Sequence, residues 1–88
     1  GEQQRVVIAR ALANEPRILL ADEPTGNLDP QAAIQIMELL QQINNRGMAV
    51  LMITHNYNLV KKFQYRTLRL KNGSLQELKW KGDKLVVA

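Results

Sequence analysis

Two short apolar runs, Ile18-Leu19-Leu20-Ala21 and Ala49-Val50-Leu51-Met52-Ile53, decide most of what this chain can become. Each is short for a helix and aliphatic enough to sit in a sheet covered on both faces. Between them, Asp29-Pro30 opens a helix. The carboxylate can accept from free N–H groups as N-cap, and the fixed φ of proline suits the first helical position. Ile36, Met37, Leu40 and Ile43 then form one apolar stripe, widened by Ile34 and Leu39. Asn44-Asn45-Arg46-Gly47 closes the helix, with Gly47 as a left-handed cap. Strand, helix and strand in this order predict a βαβ unit, its strands parallel and its crossover right-handed. The fold class is therefore α/β.

The flanking segments are shorter on signal. Val6, Val7, Ile8, Ala11 and Leu12 recur at helical spacing, so residues 2–13 read as an amphipathic helix that Asn14-Glu15-Pro16 ends. Pro24 ends the first strand, and Thr25-Gly26-Asn27 has turn composition. Beyond His55 a weaker helix covers 57–63. Two strand-like stretches, 67–70 and 75–78, flank Asn72-Gly73, whose tolerance of positive φ predicts a C-terminal β-hairpin. Trp80 and Leu85-Val86-Val87 add a final packed segment; no repeat or second domain is expected.

With 45% apolar and 23% charged residues in a length of 88, composition fits one small globular domain and argues against disorder. No apolar run approaches the ~20 residues that a spanning helix needs. With no cysteine and one histidine, disulfide frameworks, Cys-based zinc sites and His-rich metal sites are excluded. Charge is uneven. Residues 1–55 carry four arginines against six acids, net −2, whereas residues 56–88 carry eight Lys/Arg against two acids, net +6. A basic C-terminal third can meet phosphates or anionic lipid, though a solvated surface is the plainer reading. The chain starts on Gly1-Glu2-Gln3-Gln4-Arg5, without Met or an apolar signal segment, and is expected to be part of a longer one.

The acidic part holds the candidate chemistry. Asp22 and Glu23 follow the first strand at its carboxyl end, where parallel sheets place their ligands. Asp22 can hold Mg²⁺, directly or through water, and Glu23 can orient or deprotonate an attacking water. Taken alone, the pair reads first as a loop start or a helix cap. His55 ends the second strand; if the strands are parallel neighbours, it emerges on the rim of Asp22 and Glu23, able to donate to a phosphoryl oxygen. A lone histidine there is otherwise a structural residue. Gly1, at the start of a helix with free N–H groups, suits an approaching anion.

Taken together, Gly1-Glu2-Gln3-Gln4-Arg5, Ile18-Leu19-Leu20-Ala21-Asp22-Glu23-Pro24-Thr25, Gly26-Asn27-Leu28-Asp29 and Thr54-His55 resemble the ATP-binding cassette (ABC) ATPase family over residues 1–78. The wording from Ala21 to Asp29 is typical of its cell-division, lipoprotein-release and macrolide-export group. The resemblance implies a partial P-loop NTPase fold of ABC type: signature helix, Walker B strand, D-loop and H-loop. It also implies roles. Gly1, with Glu2 and Gln3, matches the end of the signature motif that meets ATP bound by the opposite subunit. Asp22 matches the Mg²⁺-side acid, Glu23 the general base, Asp29 the D-loop acid at the dimer interface, and His55 the γ-phosphate sensor. Asn56 stands where an aspartate is common. ATP and Mg²⁺ are the implied cofactors. The implied partners are a second copy of the subunit and a separate membrane permease, with no specific nucleic acid. The place implied is the cytoplasmic face of the cell membrane, reached through that permease.

No G-x-x-x-x-G-K-[ST] stretch occurs within these 88 residues, so no lysine and glycine nest cradles the β- and γ-phosphates. The 88 residues alone are therefore expected neither to hold ATP tightly nor to turn it over, since phosphoryl transfer depends on positioning and charge neutralisation. The resemblance also implies that strand 49–53, which leads to His55, lacks the neighbour it has in related cassettes and leaves an unpaired apolar edge prone to association. Two other readings share some of these features: a DNA-repair or chromosome-organising ATPase of the same motif set, and a non-catalytic interaction module.

Overall fold

The computed structural model describes residues 1–88 and divides into two compact units, Gly1–His55 and Asn56–Ala88.

In the first unit, helix α1 (Glu2–Ala13) precedes strand β1 (Ile18–Asp22), helix α2 (Pro30–Asn45) and strand β2 (Ala49–Ile53). The two strands pair in parallel, from Ile18 opposite Ala49 to Asp22 opposite Ile53, as the βαβ pattern requires. Proline at the start of α2 and the Asp29 cap act as the sequence suggests. The Asp29 carboxylate accepts from the backbone N–H of Ala32 at 2.8 Å. We expect Asp29→Ala to cost about 1 kcal/mol, the usual worth of an N-cap, and Asp29→Asn to retain most of it. Urea unfolding of the two variants beside the parent chain measures the difference.

The core of this unit is the stripe read from the sequence. Ile36, Met37, Leu40 and Ile43 are buried, joined by Ala33 and by Leu19 and Ala21 of β1, while Ile34 and Leu39 are half-buried. Two expectations change. Only Ile8 of α1 is buried, and Val6 and Val7 stand exposed, so that helix is less amphipathic in place than its spacing suggests. The strands are also not covered on both faces. Side chains alternate along a strand, so Leu19 and Ala21 turn inward while Ile18 and Leu20 remain about 60% exposed, and Leu51 and Ile53 about half exposed. The sheet has two strands, so the outer edge of β2 is unpaired, as anticipated.

The second unit holds helix α3 (Tyr57–Lys62) and an antiparallel sheet of β3 (Thr67–Lys71), β4 (Ser74–Lys81) and β5 (Lys84–Val87), in that order. Asn72 and Gly73 both have positive φ, +51° and +79°, the conformation that a two-residue hairpin turn with the right twist demands. Leu59 and Leu78 are buried, and the rings of Tyr57 and Trp80 lie 6.4 Å apart. One small domain is expected from the sequence, which does not mark this division. The strands of this second unit are joined by tight turns and pair only with one another. Its positive charge is only slightly offset, by exposed Lys61–Asp83 and Arg66–Glu77 pairs that contribute little to stability.

Candidate functional site

The register of β1 and β2 decides where the acids and the histidine go. Because the strands are parallel and Asp22 is level with Ile53, the residues that follow each strand leave from the same rim of the sheet. The ladder runs one residue past β1: the Glu23 backbone N–H donates to the Ile53 carbonyl at 2.7 Å. The chain then reverses. Glu23 takes φ +45°, a left-handed conformation that a side-chain-bearing residue adopts at a cost of order 1–3 kcal/mol. Its carbonyl accepts from the Gly26 N–H at 3.1 Å. A Cβ at position 26 would sit 3.3 Å from that oxygen, so any side chain there would press on the turn, which glycine leaves free. Pro24 and Thr25 are buried beneath the turn.

This turn aims the Glu23 side chain across to β2. The backbone N–H of His55 donates to Glu23 Oε1, and the Thr54 hydroxyl donates to Glu23 Oε2 at 3.2 Å. A carboxylate offers about four acceptor positions, so two remain for a water or another donor. Glu23 is half-buried, whereas Asp22 and His55 are exposed at the same rim. Asp22 occupies the strand position level with Ile53, on the face that also carries Ile18 and Leu20.

The other candidates are placed by the helices. In a βαβ unit the first turn of the crossover helix lies on the rim where the preceding strand ends, which puts Asp29 there, occupied as the α2 cap. Gly1 is the N-cap residue of α1 and makes no side-chain cap bond; a Cβ on it would meet Ala32 of α2 at 3.9 Å. The starts of α1 and α2 therefore lie together, and Arg5 reinforces this by donating to Gln35 at 3.4 Å. Glu2 and Gln3 are exposed on the first turn of α1. A shallow groove lined by Leu12, Pro16, Arg17, Arg46 and Met48 lies at the opposite end, where the strands begin.

Thr54 figures in the sequence only as part of the Thr54-His55 segment, with no role of its own, and the left-handed turn at Glu23 is not anticipated there. The first was readable only as a hydroxyl-bearing residue one place before His55; the second, only in the company of Pro24 and Gly26. No group of three or more His, Asp or Glu side chains forms a ready-made metal cage. Mg²⁺ is commonly held by one or two carboxylates together with phosphate oxygens and waters. Asp22, with Glu23 beside it, supplies oxygen donors of that kind. The rim thus presents one exposed carboxylate, one held in a fixed turn, and an exposed imidazole.

Comparison with known proteins agrees on one family. The model of the ABC transporter family matches residues 1–26. The chain is 48% identical over 83 residues to the cell division ATP-binding protein FtsE of Streptococcus pneumoniae, covering 94% of this chain and 36% of that protein. It is 55% identical over 75 residues to the cell division ATP-binding protein FtsE of Mycobacterium tuberculosis, covering 85% of this chain and 33% of that one. An uncharacterized ABC transporter ATP-binding protein of Methanocaldococcus jannaschii is 45% identical over 78 residues, 89% of this chain and 34% of its own length. The chain spans about a third of the length of the curated relatives it matches.

Proposed function

We infer the function from one premise, that this chain belongs to the ABC ATPase family, and propose that it is the Walker B to H-loop portion of an ATP-hydrolysing subunit serving cell division. The observation that carries the reading is the Glu23 carboxylate, fixed by a strained turn and by bonds from Thr54 and His55 at the rim of two parallel strands. A general base must be held within hydrogen-bond reach of the proton it takes. Glu23 is proposed as that base toward an attacking water. Asp22 is proposed to hold Mg²⁺, which when bound neutralises phosphate charge. His55 is proposed to donate from its imidazole to the terminal phosphate.

Gly1, Glu2, Gln3 and Asp29, gathered where α1 and α2 begin, are proposed to meet nucleotide or partner across a dimer of two such subunits. Exposed helix starts favour an anion there. The β- and γ-phosphates need a glycine-and-lysine cradle, and no such motif lies within these 88 residues. We place that cradle elsewhere in the domain. A membrane permease is the proposed partner and the cytoplasmic membrane face the proposed location. Cell division is the process because two of the relatives above carry that name. No helix of the chain is long and apolar enough to cross a membrane.

The test is a titration with Mg·ATP of the protein expressed from its complete reading frame, beside the 88 residues alone. Affinity in the micromolar range is expected for the first, with binding at least ~10²-fold weaker for the second, because the phosphate contacts dominate. No binding by the protein from the complete frame would refute the function. Micromolar binding by the 88 residues would refute the external cradle.

A further inference from the structure

We propose that Thr54 is a positioning residue that aims the Glu23 carboxylate; this deepens, and rests on, the reading of Glu23 as the base. The two carboxylate oxygens are held independently, Oε1 by the main chain at His55 and Oε2 by the Thr54 hydroxyl at 3.2 Å. The first bond is made by backbone and does not depend on the side chain at position 55. The second depends on one hydroxyl. Held at Oε1 alone, a carboxylate can still swing about its last torsion, which is broad for such groups. Held at both oxygens, its plane is fixed and its remaining lone pairs point to one place.

Thr54 is well suited to this. It is β-branched, with few χ1 positions open to it. It follows β2 directly, and its bond to Glu23 is partly buried, which strengthens it relative to one in water. The left-handed backbone at Glu23 gives the arrangement a reason: a residue held in a sparsely populated conformation persists only when its surroundings over-determine it. Here the Ile53 and Gly26 bonds fix the main chain, and Thr54 with His55 fixes the side chain. Misdirecting a base slows the chemical step more than it weakens substrate binding. Thr54 therefore belongs to kcat, not to KM.

The experiment compares Thr54→Val, Thr54→Ser and Glu23→Gln in the protein from the complete reading frame. We expect Thr54→Val to lower kcat about tenfold, the scale of one hydrogen bond to a charged group, with KM for ATP changed by less than about twofold. Thr54→Ser restores the rate, and Thr54→Val adds no further loss in the Glu23→Gln background. Solvent exchange of the His55 amide proton is expected to speed up several-fold in Thr54→Val and to stay slow in Thr54→Ser. Should the valine variant not fold, Thr54→Ala takes its place with the same expectations. Normal kcat without the hydroxyl, in a protein that Glu23→Gln inactivates, overturns the positioning role and leaves the base in place. Normal turnover in Glu23→Gln overturns the base instead. The exchange measurement then still decides Thr54, because unchanged His55 protection in Thr54→Val contradicts the proposal whatever the chemistry.

Discussion

Glu23→Gln is expected to lower ATP turnover of the protein from the complete reading frame by at least ~10²-fold, the usual scale for a lost general base, with Mg·ATP affinity nearly unchanged. The substitution preserves shape. An amide oxygen can face the His55 N–H, and the amide nitrogen can face the Thr54 hydroxyl, which can rotate to accept as well as donate. The strained turn and its bonds to Ile53 and Gly26 involve only main chain and survive the change. What disappears is the capacity to take a proton. Steady-state turnover set beside nucleotide binding separates the two effects: a fall in both points to a folding defect, and a fall in neither removes Glu23 from the chemistry.

The second large effect is on stability. Ile36 is the one large side chain with no exposed surface, on the α2 face that packs the first unit. Truncating a fully buried isoleucine to alanine loses its transfer free energy and leaves a cavity, together about 2–5 kcal/mol. A unit of 55 residues has little to spare, since a core of this size rarely supplies more than ~3–5 kcal/mol. Ile36→Ala is therefore expected to leave the first unit largely unfolded at 25 °C. Ile34→Ala, at a half-buried position of the same helix, should cost less than half as much. Helical circular dichroism across a urea titration of the two variants distinguishes them; equal stability would mean that the α2 stripe does not form the core.

Much of the first unit was legible before any coordinates. The period of Ile36, Met37, Leu40 and Ile43, the Asp29-Pro30 start and the two apolar runs are local signals, and each agreed with the others. The common rim of Asp22, Glu23 and His55 followed from chain order, because a βαβ crossover leaves parallel strands ending on one side. Coverage of the strands was misjudged. Apolar letters say that a face prefers burial, while which face α2 takes is a tertiary outcome, and Ile18, Leu20, Leu51 and Ile53 ended outside it. The division into two compact units has no marker in the sequence, whereas the Asn72-Gly73 hairpin is plain in it. Thr54 and the φ of Glu23 were the least accessible. The Thr54–Glu23 bond joins atoms 31 residues apart, which no local pattern encodes, and the turn at Glu23 is hinted at only by Pro24 and Gly26.

A crystal structure of the protein from its complete reading frame, with Mg²⁺ and a non-hydrolysable ATP analogue, tests the central claim most directly. The account predicts the terminal phosphate at the rim where β1 and β2 end, the metal on the Asp22 side, and the Glu23 carboxylate and His55 imidazole both turned toward that phosphate. A triphosphate seated away from Glu23 and His55, for instance at the groove near Arg17 and Arg46 where the strands begin, would contradict it.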